Sequence, residues 1–267
     1  MSTLTTPTTK RSWFRGVSWW RYALLLVAAL YFILPLFASL KFALEDINGH
    51  FSLTPLTQMA TQPGFGSALW LSTQLAIVTL VITLALMVPT VVYVHLKLPR
   101  FRRVMEIITI LPIVIPPIVL ILGVLHAAPL WLRSSPYLLS LVYVILSMPF
   151  VYRSLDAGLR ALDVKTLVEA SRSLGAGTLM TLWRVLVPNL RSALLSASVL
   201  TLALVLGEFT MASLDLWETI PVWIVSSSTN NPHIATAVAV VSLLLTWLVL
   251  SIIFMLDRSQ SQRIRKS

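Results

Sequence analysis

Cysteine is absent from the 267 residues, which excludes a disulfide framework, thiolate chemistry and any metal site that needs sulfur. Charge is scarce as well. Asp, Glu, Lys and Arg together make up 11% of the chain, less than half of the roughly 25% usual in soluble domains. The nine glycines never fall into the G-x-x-x-x-G-K-[ST] pattern, so there is no P-loop with which to hold ATP. The four histidines (His50, His95, His126, His233) form no i, i+4 pair, and no metal site is expected. No His/Asp/Ser cluster suggests an intramembrane enzyme, and neither an internal repeat nor a G-x-x-x-G pair is present.

Apolar residues take the place of what is missing. They make up 57% of the sequence, and the mean hydropathy is +0.86. About 20 consecutive apolar residues cross the hydrocarbon of a bilayer, and six stretches qualify: roughly 20–41, 67–95, 105–126, 136–155, 188–213 and 235–256. The first, preceded by Lys10, Arg11 and Arg15, resembles a signal peptide but is longer than an h-region and lacks an A-x-A-like site. The expected fold is therefore all-α, a polytopic membrane protein with six transmembrane helices over 20–256, flanked by tails at 1–19 and 257–267.

The net charge of +10 does not indicate nucleic acid, because the basic residues sit at the ends of apolar runs. Of the 20 Lys and Arg residues, 18 fall in the N-terminal tail, the second-to-third and fourth-to-fifth connections with their flanks, and the C-terminal tail. Lys41 and Arg133 alone lie on the other side, with Glu45, Asp46, Asp215 and Glu218. By the positive-inside rule both termini are expected in the cytoplasm.

The third apolar stretch contains LPIVIPP, with Pro112, Pro116 and Pro117. Proline frees backbone carbonyls, which at membrane depth are tolerated against protein or water. Pro116 and Pro117 are thus candidates for a pathway lining, a plain proline kink being the alternative. The connector 42–66 reads as polar, and 214–234 reads as a short re-entrant or interfacial piece with Trp217 and Trp223 at headgroup level.

The segment 166–188, TLVEASRSLGAGTLMTLWRVLVP, stands apart. Thr166-x-x-Glu169 has the pattern of a capping box, Gly175 supplies the positive-φ stop expected after a helix, and Thr178 is placed to cap the next helix, which runs toward Pro188. The expectation is helix, tight turn, helix, with a small apolar face offered to a soluble partner in the manner of a helix laid into a groove.

Glu169-Ala170-Ser171, three residues, Gly175, nine residues and Val185-Leu186-Val187-Pro188 resemble the EAA loop of ABC importer permeases, whose pattern is E-A-A, three residues, G, nine residues, I-x-L-P. Ser171, Val185 and Val187 depart from it conservatively. The resemblance implies a coupling loop over 163–188 in which Glu169, Ala170, Ser171, Arg172, Gly175 and Pro188 serve docking on a separate ABC ATPase dimer. That dimer would supply ATP and magnesium, the chain itself holding no cofactor. It also implies a second permease subunit (similar or identical) and an extracytoplasmic substrate-binding protein as partners, around an alternating-access pathway in the inner membrane.

Glu208, in Gly207-Glu208-Phe209-Thr210, is a carboxylate at or near membrane depth, costly by about 2.5–3.5 kcal/mol on insertion scales. It is a candidate pathway residue with Thr210, or a structural one bonded to a neighbouring helix. Oxyanion permeases that the chain resembles also carry Gly-Glu-Phe here, which argues against a role as substrate counter-ion. The nearest resemblance in size is to spermidine/putrescine permeases, so a polyamine or other small organic cation is the expected substrate. Aminophosphonate, ferric iron, thiamine and oxyanions are alternatives, and a secondary transporter is the competing class.

Overall fold

The computed structural model describes residues 19–46 and 48–264, with side chains beyond Leu248 described at Ser251 and Met255 alone. The basic tail residues Lys10, Arg11, Arg15, Arg265 and Lys266 lie outside the described residues. Among those described, the chain consists of helices and short connections, and its β pairing is one isolated bridge between Glu45 and Phe51. The main helices are α1 (Trp19–Ala43), α2 (Phe65–Lys97), α3 (Arg102–Val114), α4 (Pro117–Ala127), α5 (Tyr137–Arg160), α6 (Val164–Ser173), α7 (Arg191–Gly207), α8 (Thr210–Leu214), α9 (Ile220–Ser228) and α10 (Pro232–Ile264).

Among the described residues four spans are long and apolar enough to cross a membrane: α1, α2, α5, and α7 with its continuation to Leu214. A fifth is obtained if α3, taken from Pro99, and α4 are the limbs of one span. Those limbs meet at 97°, so the proline-interrupted stretch expected over 105–126 is two helices with a sharp break rather than one kinked helix. The cause is local. Pro116 and Pro117 offer no amides, and the residue before a proline is driven out of the helical region. Ile115 accordingly has ψ 124° and Pro116 ψ 136°. The described apolar part of α10, Pro232–Leu248, is shorter than these spans.

The centre of the bundle is α2 packed with α5 and α7. Met87, Val91, Val151, Leu155, Leu190 and Ala197 fill one end of it, and Leu75, Leu139, Val142, Tyr143 and Val205 fill the other. Apolar burial drives little association inside lipid, so small and hydroxyl residues matter at such contacts. Thr83 and Ser147 share a hydrogen bond of 3.1 Å between α2 and α5. Gly158 lies so close to α7 that a Cβ there would stand 2.6 Å from that of Ala193.

At the end of the bundle that carries the 163–188 segment, Asp156 is buried and accepts from Arg102 at 2.6 Å and Arg160 at 2.7 Å. The Tyr152 hydroxyl donates to the Arg102 carbonyl. These contacts place the second-to-third and fourth-to-fifth connections on one side, as the charge pattern requires. At the opposite end, the expectation for Trp223 is corrected. It is 2% exposed, packs edge-on against Phe65 and donates its indole N–H to Pro63 O, so it belongs to the protein interior. His233 stacks on Phe42 and pairs with its carbonyl, an ordinary structural histidine.

Candidate functional site: a coupling loop and two broken helices

The helix α6 starts three residues earlier than the Thr166 capping box requires. Asp163 is its N-cap, with Oδ1 accepting from the Thr166 amide at 3.3 Å and Oδ2 from its hydroxyl at 2.8 Å. Thr166 is thus the capped residue and Glu169 a mid-helix surface residue, because an aspartate was available at a favoured N-cap position. These two bonds hold the exposed Asp163 carboxyl below its ordinary range. The cap is therefore complete at neutral pH and is lost only as strong acid protonates it.

The C-terminal end follows expectation. Gly175 has φ +81°. The Gly175 amide donates to Arg172 O at 2.9 Å and the Ala176 amide to Ser171 O at 3.1 Å, the pair of bonds that defines a Schellman stop. Thr178 is the first residue of a turn, Thr178–Thr181, whose cap is Gly177 with no side-chain bond, so Thr178 does not cap it. A π turn follows over Leu182–Leu186, then Val187–Asn189 and α7. Pro188 therefore lies within a continuing helical path rather than closing one. The wide turn precedes the proline because Pro188 has no amide to return to the previous turn. Asn189 Nδ2 donates to Val185 O at 2.7 Å, occupying one carbonyl there.

Two faces result. Val164, Val168, Leu182 and Leu186 join the core. Ser171 is buried and its hydroxyl lies 2.8 Å from that of Thr181. Since Thr181 donates to Gly177 O, Ser171 is the donor that ties the two halves of the loop together. The other face is open: Glu169, Ala170 and Arg172 are exposed, Leu174 is 89% exposed and Leu179 70%, with Trp183 beside them. Large apolar residues left outside a structured loop make it a candidate interaction surface. Arg172 also borders a cavity of about 560 Å³ shared with Pro89, Tyr93 and Lys97 of α2.

The pathway candidates gather at a second place. The helix α7 ends at Gly207, and Glu208 is extended, with ψ 120°. Its Oε1 accepts from the Met211 amide at 2.9 Å, while Oε2 accepts from the Ala212 amide at 3.3 Å and the Tyr143 hydroxyl at 3.0 Å. The carboxylate thus caps α8 and pins it to α5. Met211 and Ala212 pack with Ile121 of α4, so the structure brings together the helices that follow the two breaks, Pro116-Pro117 and Glu208-Thr210. Pro116 and Pro117 are exposed and Thr210 half-buried. Replacing Glu208 by alanine leaves three buried or half-buried donors unpaired, at about 1–3 kcal/mol, and should lower the thermal midpoint in detergent. An unchanged midpoint would rule out this structural role.

Just beyond, Asp215 Oδ2, Trp217 Nε1 and Thr219 Oγ1 are buried without partners. Burial pushes the Asp215 carboxyl up to about 6. A raised carboxylate pKa means the folded state holds its proton more firmly. Stability from this group is present below the ordinary value of 3.8 and is lost as pH rises through about 6. Asp215→Asn should flatten that decline, seen as thermal midpoints compared from about pH 4 to about pH 7. A wild-type slope in the variant would disprove the assignment.

Residues 77–266 match the binding-protein-dependent transport system inner membrane component family. The molybdenum transport system permease protein ModB of Mycobacterium tuberculosis is 29% identical over 210 residues, covering 72% of this chain and 79% of that protein. A chloroplastic sulfate permease of Chlamydomonas reinhardtii is 30% identical over 59% of the chain and 46% of that protein, and the ferric transport permease FbpB of Actinobacillus pleuropneumoniae is 34% identical over 37% of the chain and 15% of that protein. The crystal structure of a bacterial ABC transporter that imports the acidic polysaccharide alginate shares the fold, with a TM-score of 0.69 at 17% identity over 94% of this chain and 99% of that one. These relatives are named for molybdenum, sulfate and ferric transport, and they lend no support to a polyamine. The family is a non-enzymatic, multi-pass component of the inner membrane that works with an ATPase and a substrate-binding protein. With 190 of its 267 residues matched, this chain belongs to the binding-protein-dependent transport system inner membrane components, the permease subunits of ABC importers.

Proposed function

We propose that the chain forms half of an alternating-access pathway for an inorganic oxyanion, with six spans, both termini in the cytoplasm and a second permease subunit facing it. In this reading the exposed face of α6 and its following turn, from Glu169 to Trp183, docks on the ATPase, and the paired breaks at Pro116-Pro117 and Glu208-Thr210 border the pathway. The orientation rests on the positive-inside pattern.

One observation supports an anion over the polyamine expected from overall resemblance. The carboxylate beside the two breaks is occupied within the chain: Glu208 accepts three hydrogen bonds. A polycation would need free acidic groups to replace its hydration. The molybdenum and sulfate names among the relatives point the same way.

The test is uptake into proteoliposomes that hold the permease with its ATPase and its binding protein, using labelled molybdate, sulfate, ferric iron and putrescine. ATP-dependent uptake of an oxyanion is expected. Putrescine or iron uptake would overturn the substrate, and uptake without ATP would overturn the coupling.

A further inference from the structure

A basic pocket lies at the end of the bundle that carries the coupling loop, but apart from it. It is an open-sided cavity of about 550 Å³ bordered by Arg100, Arg102, Arg103, Glu106, Tyr152 and Arg160. Four guanidinium groups there face Glu106 and the nearby Asp156, which leaves two positive charges without a counter-charge. Asp156 is shared by Arg102 and Arg160. Among the described residues Arg100 and Arg103 have no ion-pair partner, and Glu106 is not within ion-pair distance of either. Arg102 Nε is buried and has no hydrogen-bond partner.

The backbone adds to the same sign. The helix α3 begins at Arg102 with no side-chain cap and no acidic residue in its first turn. Its N-terminus therefore contributes a partial positive charge at the pocket. Structural needs do not account for the excess: Arg102 already holds α3 to α5 through Asp156, which Arg160 pairs with inside α5, and Arg100 and Arg103 have no ion-pair partner among the described residues.

What continues from the pocket decides the ligand class. Along the face of α3 that carries Arg103, the residues at i+4, i+8 and i+11 are Ile107, Leu111 and Val114, all exposed. A charged mouth leads into an apolar stripe on a membrane-crossing limb. A free phosphate would use the mouth and leave the stripe bare, whereas an anionic phospholipid would use both. We propose that Arg100, Arg102, Arg103 and Arg160 bind the phosphate of an anionic phospholipid whose acyl chains lie along Ile107, Leu111 and Val114. Because Arg102 also joins α3 to α5 through Asp156, a headgroup seated there would steady the broken third span against the central bundle.

The test uses the full chain purified with its ATPase and stripped of lipid in neutral detergent. Native mass spectrometry and thermal midpoints are recorded with phosphatidylglycerol, phosphatidylcholine or inorganic phosphate, for the wild type and for Arg100→Gln/Arg103→Gln. Both substituted residues lie outside the coupling loop and outside the Asp156 pairs, so the fold should persist. Phosphatidylglycerol should bind in preference to phosphatidylcholine and raise the midpoint, and inorganic phosphate should do neither. The variant should bind phosphatidylglycerol roughly thirty-fold more weakly, as two arginines at about 1 kcal/mol each imply. Equal binding of the two lipids, or wild-type binding by the variant, would overturn the site. Full competition by inorganic phosphate would make it a soluble-anion site. Loss of the ATPase with lipid binding intact would make it a protein contact. Either of these last results also refutes the proposal.

Discussion

A Gly175→Leu variant is expected to reach the membrane in normal amount and to lose about ten-fold or more of its binding-protein-stimulated ATPase activity. The reason lies in the backbone. Gly175 has φ +81°, a conformation that costs an L-residue with a side chain roughly 1–2 kcal/mol, a factor of about 5–30 against the native turn. A Cβ at this position would meet nothing within 4 Å, so no clash is added and the core that anchors α6 through Val164 and Val168 is untouched. What changes is the angle between α6 and the turn at Thr178–Thr181, and with it the alignment of Leu174 and Leu179, which are exposed on either side of the glycine. Gly175→Asn is the control, since asparagine tolerates the left-handed region better and should keep most of the activity. Full stimulation in the leucine variant, with normal co-purification of the ATPase, would remove the docking role of this loop.

The local structure of the 166–188 segment was legible because it combines signals of short range. A positive-φ glycine, a run of polar residues among apolar spans and a spacing shared with one family all lie within 23 residues. The helix limits were less legible. Thr166 and Asp163 are both good N-cap residues, and only the fold shows that Asp163 takes the amide and Thr166 becomes its donor. Ser171 reads as a surface position because it replaces an alanine of the pattern, yet its hydroxyl turns inward to Thr181. The sequence runs a helix toward Pro188, where the fifth apolar stretch begins, and a π turn and the Asn189 side chain carry the helical path through it.

Contacts between distant segments were illegible for a different reason. Arg102 and Arg160 look like two more members of a basic rim, which is all the positive-inside pattern requires. The pairing of Arg102 with Asp156 depends on α3 and α5 meeting at that height. The i, i+4 spacing of Asp156 and Arg160 was the one available hint. Glu208 is similar: position alone left it between pathway and structure, and the break after Gly207 is what turns its carboxylate back onto the Met211 and Ala212 amides. The broken third span was half legible. Two adjacent prolines announce an interruption, but whether it is a kink or a 97° turn depends on what α4 packs against, which is α8 with Met211 and Ala212.

Close helix packing in lipid is often sought through G-x-x-x-G, and this sequence has none. The contact exists all the same, made by one glycine against one alanine. Gly158→Val is expected to cost about 1–3 kcal/mol or more, seen as a lower thermal midpoint and less protein recovered in detergent. The added Cβ would stand 2.6 Å from Ala193 Cβ and 3.1 Å from Leu190 Cδ2. The leucine can rotate away, but an alanine Cβ moves only with its backbone, so α5 and α7 must part. Leu155, Leu159 and Leu190 lie in the cluster beside this crossing and also hold Val164 and Val168 of α6, so the damage should extend to the base of the coupling loop. Ala193→Gly removes the opposing methyl and provides the internal check. By itself it should cost up to about 1 kcal/mol in helix propensity, yet combined with Gly158→Ala it should restore part of what Gly158→Ala loses, a coupling that only neighbouring sites show. If Gly158→Val melts like the wild type, or if the Gly158→Ala and Ala193→Gly losses simply add, the two helices do not meet at this pair and the anchoring of the loop through it fails with them.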